Sequence, residues 1–497
     1  MTRIRPEEVR DVVERVRRRF GRAAPPGEER PTGGGALVEG AGGDTAGGTT
    51  ATGAGRGDGI FPTVDEAVGA AWEAFVAYRR MGLDRRREIV ESIRRSMRSH
   101  AEELARMAWE ETGLGRAGDK VLKNLLVIEK TPGPEDLEPR TWSGDRGLTV
   151  VEFAPYGVVA AITPTTNPTA TVINNTIAAV SAGNGVVFNV HPNAKGVSVR
   201  NVELINRAIV DAGGPANLVT CIPEPTLESA RALMEHPRAR ILMVTGGPGV
   251  VKAALATKKR AITAGPGNPP VVVDETADLE LAGREIVRGA SFDNNVICTD
   301  EKEVIAVRDV ADELLRQLEL HGAYRLKEHE LRKLERVIFQ EPGPPRKPGR
   351  IDPRWIGQNA GRILAQIGVQ VGDDVRLAVA EVPEEHNLVW TEQMMPVLPV
   401  VRVPDAERAI ALAVAAEHGF GHTAAIYSRN VDTITRMARE IDVSIFVVNG
   451  PTLAGLGDGG EGYTSFSIAS PTGEGMTRPR TFSRERRLTV ADGLRIV

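Results

Sequence analysis

The chain has 497 residues, more than one ordinary hydrophobic core organises, so two or three structural units are expected. Hydrophobic residues make up 41% and charged residues 26%, and a formal charge of −4 offers no bulk attraction to nucleic acid. No apolar run approaches the roughly eighteen residues of a membrane helix, and the N-terminus lacks a signal core. Two unrelated cysteines, Cys221 and Cys298, fit a reducing interior, so the cytoplasm is the expected location.

Residues 6–20 read as a short amphipathic helix, with Val9, Val12, Val13, Val16 and Phe20 on one stripe. Pro6 suits the first turn, and Glu7 and Glu8 complement the positive helix end. Arg17, Arg18 and Arg19 complement the other end, and Gly21 terminates the element. Residues 22–59 hold no credible element; twelve glycines between 31 and 59 give the composition of a flexible linker. A helix this short is marginal alone in water, so its apolar stripe points to a partner groove. The alternatives are an incidental extension or a basic helix lying on a membrane.

The folded body is expected to begin near Ile60. Thr63-Val-Asp-Glu66 has the form of a capping box opening a helix with Val68, Trp72 and Phe75, and helices follow at about 84–98 and 100–112. Strand candidates Gly157–Ile162, Gly185–Val190, Val219–Ile222 and Ile241–Val244 alternate with helical patterns at about 168–182, 195–212 and 226–235. That alternation predicts a doubly wound α/β unit. A second series, Pro270–Val273, Val304–Val307, Val397–Val401, Ala424–Tyr427 and Ile445–Val448, predicts a second α/β domain. The polar tail, 481–497, suits pairing with another strand at a subunit edge.

Two strand-to-helix turns, Thr163-Pro-Thr-Thr-Asn-Pro168 and Thr245-Gly-Gly-Pro-Gly249, are placed to hold anionic cofactor groups on exposed N–H groups. Neither is a GxGxxG fingerprint, and each alone reads equally as a plain turn. Cys298 ends the run Gly-Ala-Ser-Phe-Asp-Asn-Asn-Val-Ile-Cys; it is either a small buried apolar residue or a nucleophile. Asn294 and Asn295 are possible amide donors to its thiolate, and Asp293, pointing inward, would raise its pKa. Cys221 lies in an apolar strand and reads as core. His386 and His422 lack neighbours at ligand spacing, so no metal site is expected. Arg484, Arg486 and Arg487 form either a solvated face or a subunit contact.

Motif order is more specific than any single motif. Glu110-Glu-Thr-Gly113, Ile162–Asn167, His191-Pro-Asn-Ala-Lys195 and Gly246-Gly247 are followed by Gly265-Pro-Gly-Asn-Pro-Pro270, Cys298, Glu392-Gln-Met-Met-Pro396 and Gly459-Gly-Glu-Gly462. Over about 60–497 this order resembles the aldehyde dehydrogenase superfamily. Its wording resembles the coenzyme-A-acylating branch, especially the propionaldehyde and acetaldehyde dehydrogenases of bacterial microcompartments.

The resemblance implies an aldehyde dehydrogenase-like α/β fold. A Rossmann-type nucleotide domain would span 60–263, completed by about 451–480, with a catalytic domain at 264–450. An oligomerisation hairpin near 141–153 would pair with the 481–497 tail in a homodimer or homotetramer. Cys298 would be the nucleophile, with its own N–H and Asn167 meeting the oxyanion, although Thr166 holds the position strictly in register. Thr163, Pro164, Thr166, His191, Pro192, Asn193, Gly246, Gly247, Gly265 and Glu392 would bind NAD, Glu392 through the nicotinamide ribose. His191 and Ala194 replace a lysine and a glutamate near the adenine ribose, so strict NAD preference does not follow. These small residues also suit the phosphorylated adenosine of coenzyme A, bound in turn with NAD in one cleft.

Ala264 stands where hydrolytic members carry a glutamate base, so the acyl group is expected to pass to coenzyme A, with Glu301 or Glu392 the possible substitutes for that base. Residues 1–21 resemble an encapsulation peptide, implying contact with a microcompartment shell protein through 6–20. The rivals are a hydrolytic enzyme releasing free acid and a non-catalytic shell-associated scaffold.

Overall fold

The computed structural model describes residues 58–497. The expected helix at 6–20 and the glycine-rich stretch before residue 58 lie outside the described residues. The body begins by joining a sheet: the Cys221 N–H donates to the Gly59 carbonyl at 2.8 Å, and Phe61 N–H donates back to the Cys221 carbonyl at 3.1 Å.

Helices Val64–Tyr78, Leu83–Ser99, Ala101–Thr112 and Ala117–Lys130 come first. At the first of these, the Thr63 hydroxyl accepts from Glu66 N–H at 3.3 Å, but the Glu66 carboxylate takes the Thr63 hydroxyl, not its N–H. The expected box is thus half made. Helix Ala117–Lys130 was not foreseen, and the reason is physical. Its buried side carries Asp119, Lys120, Lys123 and Asn124 among the aliphatics, so no clean apolar stripe marks it.

Five parallel strands form the first large sheet, in the order Val219–Cys221, Gly185–Asn189, Val158–Ile162, Ala239–Thr245, Arg260–Ala264. Val158–Ile162 and Gly185–Asn189 are buried throughout, which is why they read as unbroken apolar runs. Arg260–Ala264 was missed because a basic stretch precedes it and Ile262 is its one large aliphatic residue. Strand order reverses between Val158–Ile162 and Ala239–Thr245, which opens a crevice at their carboxyl ends.

The second sheet has seven parallel strands: Ala323–Arg325, Leu377–Val382, Val397–Val403, Glu303–Val307, Pro270–Val273, Thr423–Tyr427, Ile445–Val448. Ala323–Arg325 and Leu377–Val382 add to the expected series; one is three residues long, and the other mixes alanine and glutamate. The segment 265–269 joins the carboxyl end of the first sheet's last strand to the amino end of Pro270–Val273. It therefore connects two opposed sheet edges.

A third sheet is antiparallel: hairpin strands Arg140–Gly144 and Gly147–Pro155, then the tail strand Ser483–Ala491 beside the second of them. The tail thus pairs with this chain's own hairpin. Trp142 and Leu488 stay exposed on it, as do Arg484, Arg486 and Arg487.

Asn184 ties this sheet to the body. Its Oδ1 accepts from Tyr156 N–H at 2.8 Å and Gly157 N–H at 3.0 Å, and its Nδ2 donates to the carbonyls of Phe482 and Ala179. Replacement by alanine takes that partner from the Tyr156 and Gly157 N–H groups and the Phe482 carbonyl, while the Ala179 carbonyl keeps the Asn184 N–H. Asn184→Ala is expected to lower the urea midpoint, losing about 1–3 kcal/mol for each group that stays buried and unpaired.

Candidate active site

The loop that presents Cys298 follows helix Leu279–Ala290, and it is built on three consecutive left-handed residues: Asp293 at φ 45°, Asn294 at 56° and Asn295 at 64°. Asp and Asn tolerate this conformation best among residues with a Cβ, yet strain of this kind costs on the order of 1–3 kcal/mol per residue. Each side chain is accordingly anchored. Asp293 binds Lys120 Nζ at 2.9 Å, Lys123 Nζ, and the Arg116 N–H at 2.6 Å. Gly115 makes room for it, since a Cβ there would stand 2.0 Å from Asp293 Oδ1.

Asn294 Nδ2 donates to the Gly357 carbonyl and to Asn359 Oδ1, both at 2.8 Å. Asn295 Nδ2 donates to the carbonyls of Ala290 and Glu301, both at 2.9 Å. The three expectations for these residues are corrected together. Neither asparagine amide is available to the Cys298 thiolate, and Asp293 points to two lysines, not to the thiol.

Burial would raise the Asp293 carboxyl, but Lys120 and Lys123 outweigh it and hold it below its ordinary value. The counterpart effect falls on Lys120, which burial pushes down to about 8 against the pull of Asp293.

Cys298 itself is half-buried, and its surroundings are dense. Burial, followed by the charge of Glu392, pushes the thiol up to about 12, with Lys302 opposing. Three segments meet around it at amino ends of strands in the seven-stranded sheet. Gly267 lies so close that a Cβ would stand 2.7 Å from the Cys298 carbonyl and 3.0 Å from the His422 ring. Gly267 N–H donates to Glu392 Oε1 at 3.2 Å. Lys302 is wholly buried, and its three ammonium protons go to Asn295 Oδ1 at 2.6 Å and to the carbonyls of Asn295 and Ile297, both at 3.1 Å.

Lys302 also links the loops through its backbone. Its N–H donates to the Pro269 carbonyl at 3.0 Å, and its carbonyl accepts from Gln393 Nε2 at 2.9 Å. His422 is buried, and its imidazole is pushed down to about 4 by burial and by the Lys302 charge, so it is neutral near pH 7. Lys302 is not singled out in the sequence, and His422 is considered there only as a metal ligand and set aside. Nothing in a Glu-Lys-Glu run or a lone histidine marks them.

Of the two carboxylates that could replace a missing base, Glu301 accepts from Thr452 N–H at 2.8 Å and packs against Gly289, so it is committed elsewhere. Glu392 is the carboxylate whose charge acts on the thiol. Ala264 is buried at the end of its strand.

The other expected residues gather on the carboxyl edge of the five-stranded sheet. Thr163, Pro164, Thr166 and Asn167 follow Val158–Ile162; His191, Pro192 and Asn193 follow Gly185–Asn189; Gly246 and Gly247 follow Ala239–Thr245; Gly265 follows Arg260–Ala264. Asn167 is the N-cap of helix Pro168–Ser181, which is buried along its whole length. Its Oδ1 accepts from Lys123 Nζ at 2.6 Å, and its Nδ2 lies 3.3 Å from Thr166 Oγ1. The two rival oxyanion candidates are therefore neighbours in one small network.

Three features fit a dinucleotide. The Thr163 hydroxyl is buried with no partner among the described residues. A Cβ on Gly247 would meet nothing within 4 Å, so the start of helix Pro248–Leu255 is open. Helix starts at Pro168 and Pro248 carry no side-chain cap, whereas that of Lys195–Asp211 is filled by Glu111, which accepts from Gly196 N–H at 2.8 Å and Val197 N–H at 2.7 Å. A phosphate seeking helix N–H groups thus has the first two and not the third. This also explains the Glu110–Gly113 motif. Near the His191 turn, Lys195 pairs with Glu224, an acid on the loop after Val219–Cys221 that sequence reasoning did not raise.

Cys221 is fully buried, and burial pushes its thiol up to about 12. His386 pairs with Glu335 at 2.8 Å. Among the described residues, no group of three His, Cys, Asp or Glu is placed to hold a metal ion, and no helix is long and apolar enough to cross a membrane.

A model of the aldehyde dehydrogenase family matches residues 59–324 and 376–467. The acetylating acetaldehyde dehydrogenase EutE of Salmonella typhimurium is 51% identical over 440 residues, 88% of this chain and 94% of the relative. A crystal structure of Rhodopseudomonas palustris propionaldehyde dehydrogenase, with bound CoA and an acylated cysteine, is 46% identical with a TM-score of 0.86, covering 88% of this chain and 100% of that one. A propionaldehyde dehydrogenase from the fucose utilisation bacterial microcompartment of Clostridium phytofermentans is 45% identical with a TM-score of 0.85, again covering 88% and 100%.

The charges around Cys298 make an electrostatic prediction. Iodoacetamide alkylation of the free protein should accelerate with pH well past neutrality, because the raised thiol stays protonated there. Lys302→Met should move that profile up, and Glu392→Gln should move it down, each by about one pH unit or more. Peptide mapping separates Cys298 from the inaccessible Cys221.

Proposed function

The chain belongs to the aldehyde dehydrogenase family, and within it we propose a coenzyme-A-acylating enzyme that oxidises a short aldehyde to its acyl-CoA. The observation that carries this reading is Ala264 at the end of its strand, where the resemblance puts the glutamate base of hydrolytic members; Glu301 is bound to Thr452, and Glu392, whose charge acts on the thiol, holds the Gly267 N–H through Oε1. An acyl group on Cys298 therefore lacks the glutamate that would activate water from that position. A thiol is the better nucleophile toward a thioester, and coenzyme A supplies one.

In this reading the Cys298 sulfur adds to the aldehyde carbon, and the carbonyl oxygen becomes an oxyanion. Asn167 Nδ2 and the Cys298 N–H stabilise that charge as it develops, which is where such donors contribute most. Oxidised NAD, when bound, accepts the hydride. Thr163 and the open helix starts at Pro168 and Pro248 suit its phosphates, and Glu392 suits its nicotinamide ribose. Collapse of the oxyanion leaves a thioester on Cys298; the coenzyme A thiolate attacks it, and the Cys298 thiolate departs. Burial and the Glu392 charge hold the free thiol protonated near pH 7, so in this reading its ionisation accompanies ligand binding.

The acetylating relative and the propionaldehyde dehydrogenases support acetaldehyde or propanal as substrate class. The apolar stripe in the sequence of residues 6–20 suits docking on a microcompartment shell protein, a reading supported by the relative from a fucose utilisation microcompartment. The lumen of such a compartment would be the working location. The exposed Trp142 and Leu488 on the hairpin sheet suit self-association into a dimer or tetramer.

Without coenzyme A, propanal should yield a burst of one NADH per Cys298, and adding coenzyme A should start steady turnover. Sustained turnover to free acid without coenzyme A would overturn the acylating reading in favour of hydrolysis. Cys298→Ala should abolish both phases. Removing residues 1–57 should leave turnover intact and end co-purification with shell proteins; retained co-purification would refute the docking role.

A further inference from the structure

We propose that Lys123 is a positioning residue for this reaction: its ammonium orients and polarises the Asn167 carboxamide toward the oxyanion, and Asp293 holds the ammonium in place. The inference rests on the reading of Asn167 as an oxyanion donor and deepens it. Lys123 lies on helix Ala117–Lys130, outside every motif that marks the active site, and its side chain is 2% exposed.

An ammonium only donates, so Lys123 Nζ can bind only the oxygen end of the Asn167 amide, which it does at 2.6 Å. That contact decides which way the amide faces. Its Nδ2 is left on the opposite side, where its protein neighbour is Thr166 Oγ1 at a long 3.3 Å, so an N–H remains for an incoming anion. A cation on the carbonyl oxygen also draws density from the amide and strengthens its N–H as a donor.

The same ammonium contacts Asp293 at the first left-handed residue of the Cys298 loop. Lys123 is therefore the one side chain described as bonded both to the loop that carries the nucleophile and to the amide that would receive the charge. A purely structural counter-ion for Asp293 would need only the first contact, and Lys120 already provides that.

The test is a double-mutant cycle read in kcat and KM for propanal and coenzyme A. Lys123→Met should lower kcat by about 10- to 100-fold with KM nearly unchanged. In the Asn167→Ala background the same change should cost little more, because the group it acts through is gone. Lys123→Arg should restore part of kcat. An equal, multiplicative loss in both backgrounds, or an unchanged kcat in Lys123→Met, would overturn the proposal. Should Asn167→Ala alone leave kcat intact, it is the oxyanion reading of Asn167 that fails, and the cycle identifies that separately. If Lys123→Met does not fold, Lys123→Gln, which keeps a polar side chain beside Asp293, takes its place in the cycle. The same loss of kcat, absent in the Asn167→Ala background, is expected, and an unchanged kcat would overturn the proposal.

Discussion

Asp293 is the carboxylate on which the active-site loop hangs. It is fully buried, and it occupies the first of three successive left-handed backbone positions. A charge in that place survives only with compensation, and Lys120, Lys123 and the Arg116 N–H supply it. Taking away one member of such a cluster leaves another buried charge unmet, typically at a cost of about 3–5 kcal/mol. The strain in 293–295 and the ion cluster therefore belong together: the loop keeps its shape because leaving it would strand charges inside the protein.

Two sheet edges then define the candidate site. The carboxyl edge of the five-stranded sheet offers turns and helix starts, which are rich in unpaired N–H groups and suited to anionic ligands. The amino edge of the seven-stranded sheet offers the Cys298 loop, the Glu392 loop and His422. Residues 265–269 run from one edge to the other, and Gly267 lets them pass within contact distance of the Cys298 carbonyl. Lys302 fastens the opposite side by binding the Pro269 carbonyl, the Cys298 loop and Gln393. A small displacement of any of these segments would move the thiol relative to both edges at once.

This division explains what was legible in the sequence. The central strands of both sheets are apolar runs between helical patterns, and the turn motifs lie at their ends, so their order along the chain is visible without coordinates. Cys298, Glu392 and the Thr163–Asn167 turn are found that way. The ionic support is not. Lys120 and Lys123 sit on a helix whose buried face is charged, which hides both the helix and its purpose from hydrophobic periodicity. Asp293, Asn294 and Asn295 look like donors and a perturbing acid when read beside Cys298 in one dimension. Their left-handed backbone turns each of them toward a different partner. Glu111 shows the same limit: its motif is visible, but its role as the cap of a helix 85 residues away depends on tertiary contact.

The electrostatics of the thiol follow from the same construction. Dense packing that fixes Cys298 against Gly267 also limits its solvation, and the charge of Glu392 adds to the penalty, so the resting thiol is held in its neutral form. Lys302 cannot reverse this, because its three protons are spent on loop oxygens and the buried acids Asp300, Glu301 and Glu303 share its field. A thiol kept neutral is protected from stray alkylation and oxidation, which attack thiolates. The arrangement thus favours a thiol that is precise in position and restrained in charge. It places the demand for ionisation on the assembled complex.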